Sequence, residues 1–239
     1  MAAFALVAAP MPVAAQETAA APTPACDAKP EPFVMPTTGA VFTLPPEPDT
    51  LAACEPPPPP PPPRPPAPSL FRMVAMPIGG NAVASKWDAA RAGVITDRSG
   101  PWDELMSEVR RLPAADPISM VNQWVNWHVR FRDDAGRDEW SPAAETLIRG
   151  YGDCEDFALA KMGLLLALGV PGDDMYLVLL RDRAATDHAV LAVSRNGQLF
   201  VLDNRTDKIL PASAIADYTP VISFSGQYAW TYGHRAAAR

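Results

Sequence analysis

Three side chains in this 239-residue chain have the types needed for acyl transfer: Cys154, His188 and Asp203. A thiolate attacks a carbonyl, an imidazole moves the proton, and a carboxylate fixes the imidazole's tautomer. Cys154 follows the turn Gly150-Tyr151-Gly152-Asp153. With Asp153 as N-cap, Cys154 becomes the first helical residue, where unpaired backbone N–H groups and the helix dipole favour a thiolate. A small buried filler is the competing interpretation, and position alone leaves both open.

His188 and Asp203 are joined by a hairpin. Asn196-Gly197 between two Val- and Leu-rich runs is a strong two-residue turn signal. It pairs Arg195 with Gln198 and, counting outward, Val190 with Asp203. His188 then lies diagonal to Asp203 on one face, with Cα atoms ~7–8 Å apart. A slip of one residue would put Asp203 on the opposite face. Taken singly, His188 reads as a packed sheet histidine and Asp203 as a strand-end turn residue. The order of helix-start Cys, strand His and neighbouring-strand Asp is what joins them. Asp187 is a weaker orienting group, because adjacent strand residues point to opposite faces.

Asp153, Glu155 and Asp156 crowd the thiol, and charge of like sign raises its pKa. Two arrangements fit: an acidic first turn that merely caps the helix, or a bound Ca²⁺ held by clustered oxygen ligands. The spacing is not that of an EF-hand loop.

The elements that must position these groups follow from periodicity. Pro101–Leu112 and Pro117–Phe131 read as helices, with Met120, Val121, Trp124, Val125 and His128 on one stripe of the second. On that stripe His128 reads as packed, without a chemical role. Asp133–Asp138 reads as a solvated polar turn, and Pro142–Ile148 as a short helix broken by Gly150 and Gly152. The next helix runs from Asp153 until Gly169 and Pro171 stop it, with Phe157, Ala160, Leu164, Leu165 and Leu168 along one face. Met175–Leu180, His188–Val193 and Gln198–Asp203 read as strands, and Tyr218–Tyr232 as an aromatic segment that covers the core. Helices before a partly antiparallel sheet make an α+β fold.

The rest of the chain sets limits. Of its 29 prolines, eight run consecutively from Pro56 to Pro63, so residues 17–68 read as a polyproline II spacer. Residues 1–16, apolar and ending Val13-Ala14-Ala15-Gln16, read as a signal peptide, although no Lys or Arg precedes Lys29. Residues 69–239 remain as one domain large enough for a single core. Cys26 and Cys54 lie in the spacer, and nothing in their spacing establishes a pair. A net charge of -7 and a pI near 4.9 argue against a nucleic-acid partner. No apolar run reaches the ~18 residues of a membrane span.

Three runs, Gly152-Asp153-Cys154-Glu155-Asp156-Phe157-Ala158, His188-Ala189-Val190-Leu191 and Leu202-Asp203-Asn204, resemble the bacterial transglutaminase-like cysteine proteinases. Val121–Asn126 and Trp140-Ser141-Pro142 extend the resemblance over roughly Phe71 to Tyr232. It implies a papain-like or transglutaminase-like core in which N-terminal helices pack on an antiparallel sheet. Cys154 is then the nucleophile, His188 the general base and Asp203 its orienting group. The resemblance also implies a calcium site using Asp153, Glu155 and Asp156, and a periplasmic location. The implied substrate is the N-terminal region of a large surface adhesin, cut at a paired-alanine site to control biofilm attachment. The implied regulator is an inner-membrane receptor for cyclic-di-GMP whose periplasmic domain holds the protease. The proline-rich extension with Cys26 and Cys54 departs from this pattern. Transamidation or deamidation at the same Cys-His-Asp site, and a non-catalytic calcium-binding module, are the alternatives.

Overall fold

A computed structural model describes residues 33–34, 41–42, 64–93, 95, 99–112 and 116–234. The expected signal peptide, most of the expected spacer, Cys26 and Cys54 lie outside the described residues. The chain divides into two compact units, Met1–Pro61 and Pro62–Arg239. In the first, β1 (Phe33–Val34) and β2 (Val41–Phe42) pair antiparallel.

The second unit opens with β3 (Val74–Ile78), α1 (Ala84–Arg91) and α2 (Asp103–Arg111), followed by α3 (Pro117–His128) and β4 (Arg130–Phe131). Pro117 starts α3 where its missing N–H costs nothing, and the Asp116 carboxylate accepts from Ile118 N–H at 3.3 Å. The helix expected to reach Phe131 ends at His128, since β4 pairs in parallel with β5 (Tyr151–Gly152). Between them runs α4 (Ala143–Arg149), closed by Gly150 at φ 70°, a left-handed conformation that suits glycine. His128 stacks on Trp124 at 4.3 Å, with Nε2 3.0 Å from the Leu147 carbonyl, a packing role as expected.

The central helix, α5 (Cys154–Ala167), is buried from Glu155 through Leu165 on every side. Its sequence suggested a single apolar face. In the fold α3, α4 and the sheet enclose it, so even Lys161 is fully buried. Enclosed leucines such as Leu164 and Leu165 each contribute roughly 1.5–3 kcal/mol.

The sheet completes the unit: β6 (Met175–Arg181), β7 (Asp187–Arg195), β8 (Gln198–Asp203), β9 (Thr206–Pro211), β10 (Thr219–Ser225) and β11 (Tyr228–Gly233). With β3 they form seven antiparallel strands in the order β3-β11-β10-β6-β7-β8-β9. The β7–β8 register is the one expected, with Arg195 opposite Gln198 and Leu191 opposite Leu202. Asn196 and Gly197 both take positive φ, as the tight turn demands. The aromatic closing segment forms two strands of this sheet instead of a separate cover.

Alternation along the strands gives the sheet two apolar faces. Leu177, Leu191, Val193, Leu202 and Phe224 join the core under the helices. Tyr176, Val178, Val190, Ala192, Val201 and Trp230 form a second core on the other face, which Leu70 and Phe71 close. The chain leaving the proline run therefore belongs to the folded unit. Pro65 and Pro68 are buried, and the Tyr176 hydroxyl donates to the Pro66 carbonyl at 2.8 Å.

Candidate active site

Cys154 stands at the start of α5, half-buried, and shares one cleft with His188, Asp153, Glu155 and Asp138. The cleft encloses about 460 Å³ and is walled on its apolar side by Val83, Trp140, Leu179, Val221 and Ile222. His188 Nε2 lies 3.0 Å from Asp203 Oδ1, and both residues are nearly fully buried. With Nε2 engaged, Nδ1 is the ring nitrogen left for the thiol. The structure thus brings Cys154 and His188 to one cleft, with Asp203 bonded to His188, while Asp187, which also lines the cleft, is exposed and pairs with Arg181 at 3.1 Å.

Donors surround the Asp203 carboxylate. Arg205 N–H reaches Oδ1 at 2.9 Å, the Tyr218 hydroxyl reaches Oδ2 at 2.5 Å, and the Asn126 amide holds the Asp203 carbonyl at 3.0 Å. Burial pushes this carboxyl upward, yet the bonds from His188, Tyr218 and Arg205 outweigh it and hold its pKa at about 2. Asp203 therefore stays ionised and able to stabilise an imidazolium.

The opposite side of Cys154 has the reverse balance. Burial, a hydrogen bond with Asp138 and the charge of Asp153 push Glu155 up to about 8. Asp153 is raised by burial and by the charges of Asp134 and Asp138. Asp138 is held below the usual range, because Glu155 and the Lys86 ammonium, 2.5 Å away, outweigh its partial burial. Burial and Glu155 raise the Cys154 thiol, which donates to Glu155 Oε2 at 3.2 Å, while the Ala189 N–H lowers it in part. This arrangement favours the thiol over the thiolate.

Two expectations about the acidic residues change. Asp153 is the N-cap of α5 by position but makes no side-chain capping hydrogen bond, although the nearby Asp156 backbone N–H lowers its pKa in part. Asp156, expected beside Asp153 and Glu155 as a ligand, is fully buried elsewhere: it accepts from Ser141 N–H at 2.9 Å and pairs with Arg149. Its side chain folds over Gly152, where a Cβ would lie 2.5 Å from Asp156 Oδ2. Asp138 occupies the place in the cluster that Asp156 was expected to take. It comes from the turn expected to be merely solvated, and four acidic or basic residues around one glycine do not distinguish a ligand from a solvated charge.

Among the described residues no three carboxylates stand at metal-ligand spacing. Glu155 and Asp138 instead share a hydrogen bond that needs a proton. The donor set nevertheless fits a hard cation. Asp153 Oδ1 is buried with no hydrogen-bond partner, and Asp153 and Glu155 are both raised by burial and by other acids. These are oxygen ligands of the kind calcium takes.

Several known proteins are similar to this chain. Legionella pneumophila LapG is 28% identical, matching 65% of this chain and 90% of that one with a TM-score of 0.50. Its calcium-bound form is 27% identical over 66% of this chain and 94% of the other, also at 0.50, and its EGTA-treated form reaches 0.51. The UPF0252 protein PH0672 of Pyrococcus horikoshii is 33% identical over 106 residues, which are 44% of this chain and 32% of that protein, so the chain spans about a third of that relative's length. The family model of the bacterial transglutaminase-like cysteine proteinases matches residues 106–231, more than half of the sequence and all of the cleft except Val83, and the chain belongs to that family.

Proposed function

We propose that this chain is a cysteine endopeptidase of the cell envelope, supported by calcium, with Cys154 as nucleophile, His188 as general base and Asp203 as its orienting group. The observation that carries this is the His188–Asp203 pair at 3.0 Å, with His188 lining the cleft that also holds Cys154 at a helix N-terminus. His188 takes the thiol proton, and the Cys154 sulfur attacks the peptide carbonyl. The backbone N–H groups at the start of α5 face the oxyanion. His188 then protonates the leaving amine, and water, activated by the same imidazole, releases the acyl group. Asp203, ionised throughout, keeps His188 Nε2 occupied and stabilises its charged form.

Asp153 and Glu155, with Asp138, are the residues that would hold Ca²⁺, and Asp156 joins them only on release from Arg149. The ion supplies positive charge beside the thiol, offsetting the carboxylates that keep it protonated. LapG is described in a calcium-bound form, which supports this assignment.

The substrate in this reading is the N-terminal region of a large surface adhesin, cut in the periplasm to control biofilm attachment. The periplasmic domain of an inner-membrane cyclic-di-GMP receptor is the regulatory partner. The family membership and the likeness to LapG support the assignment. No helix among the described residues is long and apolar enough to cross a membrane.

The test is to incubate the full chain and Cys154→Ala with an adhesin N-terminal fragment, in calcium and in chelator. Cleavage by the parent chain alone, slowed by chelator, is expected. Cleavage by Cys154→Ala refutes the mechanism, and ammonia release or crosslinking without cleavage assigns the site to transamidation or deamidation.

A further inference from the structure

Tyr218 connects parts of the molecule that the reaction scheme above leaves unconnected. Its hydroxyl donates to Asp203 Oδ2 at 2.5 Å, and its ring meets the His188 ring edge-on with centroids 5.9 Å apart. A second aromatic neighbour of that ring is Phe71, also edge-on, at 5.5 Å. Phe71 is only 6% exposed and, with Arg72, takes a left-handed backbone (φ 49° and 65°). Bulky residues adopt that conformation only where packing holds them. Here the packing is the second core, into which Leu70 and Phe71 insert after the buried Pro65 and Pro68.

Strand alternation places this contact. His188 is two residues from Val190, and Asp203 two from Val201, and both valines belong to the second core. The His188–Asp203 pair therefore lies on the sheet face that the N-terminal segment covers. Burial and the neighbouring Asp203 raise the Tyr218 hydroxyl far above the ordinary tyrosine value, so it remains a donor.

We infer that Tyr218 is a positioning residue of the active site, holding Asp203 toward His188 and itself seated by Phe71 of the segment that leaves the proline run. The inference rests on the Cys154–His188–Asp203 assignment and extends it. His188 Nε2 and Arg205 N–H both use Oδ1 of Asp203, so the hydroxyl at Oδ2 is what keeps the carboxylate from rotating away. Phe71 fills the space into which the Tyr218 ring would otherwise swing, making residues 65–71 part of the site's support.

The experiment is a double-mutant cycle on the full chain in calcium, reading the rate at which iodoacetamide alkylates Cys154. Mass spectrometry of peptides separates Cys154 from Cys26 and Cys54. Tyr218→Phe keeps the ring against Phe71 and His188 and removes only the hydroxyl. It is expected to slow alkylation about tenfold, the size of one lost hydrogen bond to a charged group. That loss disappears in an Asp203→Ala background. Phe71→Leu is expected to slow alkylation about threefold, in proportion to a smaller displacement, and also to lose its effect without Asp203. The downfield imidazole N–H proton of His188 gives a second readout: it weakens in Tyr218→Phe and vanishes in Asp203→Ala. An unchanged rate in Tyr218→Phe overturns the inference, and so does a loss that persists in Asp203→Ala, which marks a merely structural role. An Asp203→Ala chain alkylated as fast as the parent overturns the triad assignment along with it.

Discussion

On one side of Cys154 a single carboxylate is surrounded by donors, and on the other side carboxylates are surrounded by one another. Asp203 accepts from His188, Arg205 and Tyr218 and is held at about 2. Glu155 faces Asp138 and Asp153 and is pushed to about 8. Burial is comparable on the two sides, so burial does not set the difference. Partner supply does. The Asp203 side is complete within the chain, whereas the Glu155 side is balanced only by protons or by an added cation.

Removing the complete side should have the largest effect. His188→Ala is expected to lower peptide hydrolysis by roughly 10²–10⁴ with folding intact, since it deletes the proton carrier; matching kcat/KM values for parent and variant would remove His188 from the mechanism. The next effect comes from the incomplete side. Calcium at about 100 times its Kd is expected to stabilise the protein by about 2.7 kcal/mol. Asp153→Asn, which removes a carboxylate with an unpartnered buried oxygen, should abolish most of that gain. Thermal unfolding with and without calcium reads it, and an undiminished calcium response in Asp153→Asn would move the ion elsewhere.

A smaller effect is expected at Lys161, which is fully buried, with Nζ making no hydrogen bond, behind the complete side. Burial lowers its pKa from 10.5 to about 7, although Asp203 and Asp207 pull it back up. With a folded pKa below the unfolded one, its contribution to stability is fully present above about pH 10.5 and is lost as pH falls through about 7. Lys161→Met should therefore be more stable than the parent at pH 6, by about 1–4 kcal/mol, and the gap should close as pH rises toward 10.5. Urea denaturation across that range checks the sign. The smallest effect is at Asp203 itself. Its depressed pKa gives stability that is present above about 3.8 and lost as pH falls through about 2, and Asp203→Asn should remove that acid-limb loss.

The two sides also differed in how far the sequence disclosed them. The His188–Asp203 pair was legible because Asn196-Gly197 sets a register, and a register fixes every facing pair along two strands. The start of α5 was legible from the Gly-rich turn and the apolar run. The acidic side was half legible. Asp153 and Glu155 adjoin Cys154 in sequence, but Asp138 reaches them from a turn fifteen residues before Asp153. No local pattern encodes that meeting. Asp156 shows the converse, since adjacency suggested a ligand and Arg149 claimed it. Tyr218 looked like one aromatic among several, because its bond to Asp203 depends on the loop before β10. The strand β3, at the far edge of the sheet, was missed because it contains Pro77, which cannot donate to a ladder, and its residues are mostly exposed.

The claim that Cys154 is a nucleophile waiting on positive charge is tested most directly by its own reactivity. The rate of Cys154 alkylation by iodoacetamide, resolved from Cys26 and Cys54, should rise at least about tenfold when calcium replaces chelator, as fixed charges offset the carboxylates. The same addition should leave Cys26 and Cys54 unchanged. A Cys154 that is equally reactive in calcium and in chelator would contradict the account.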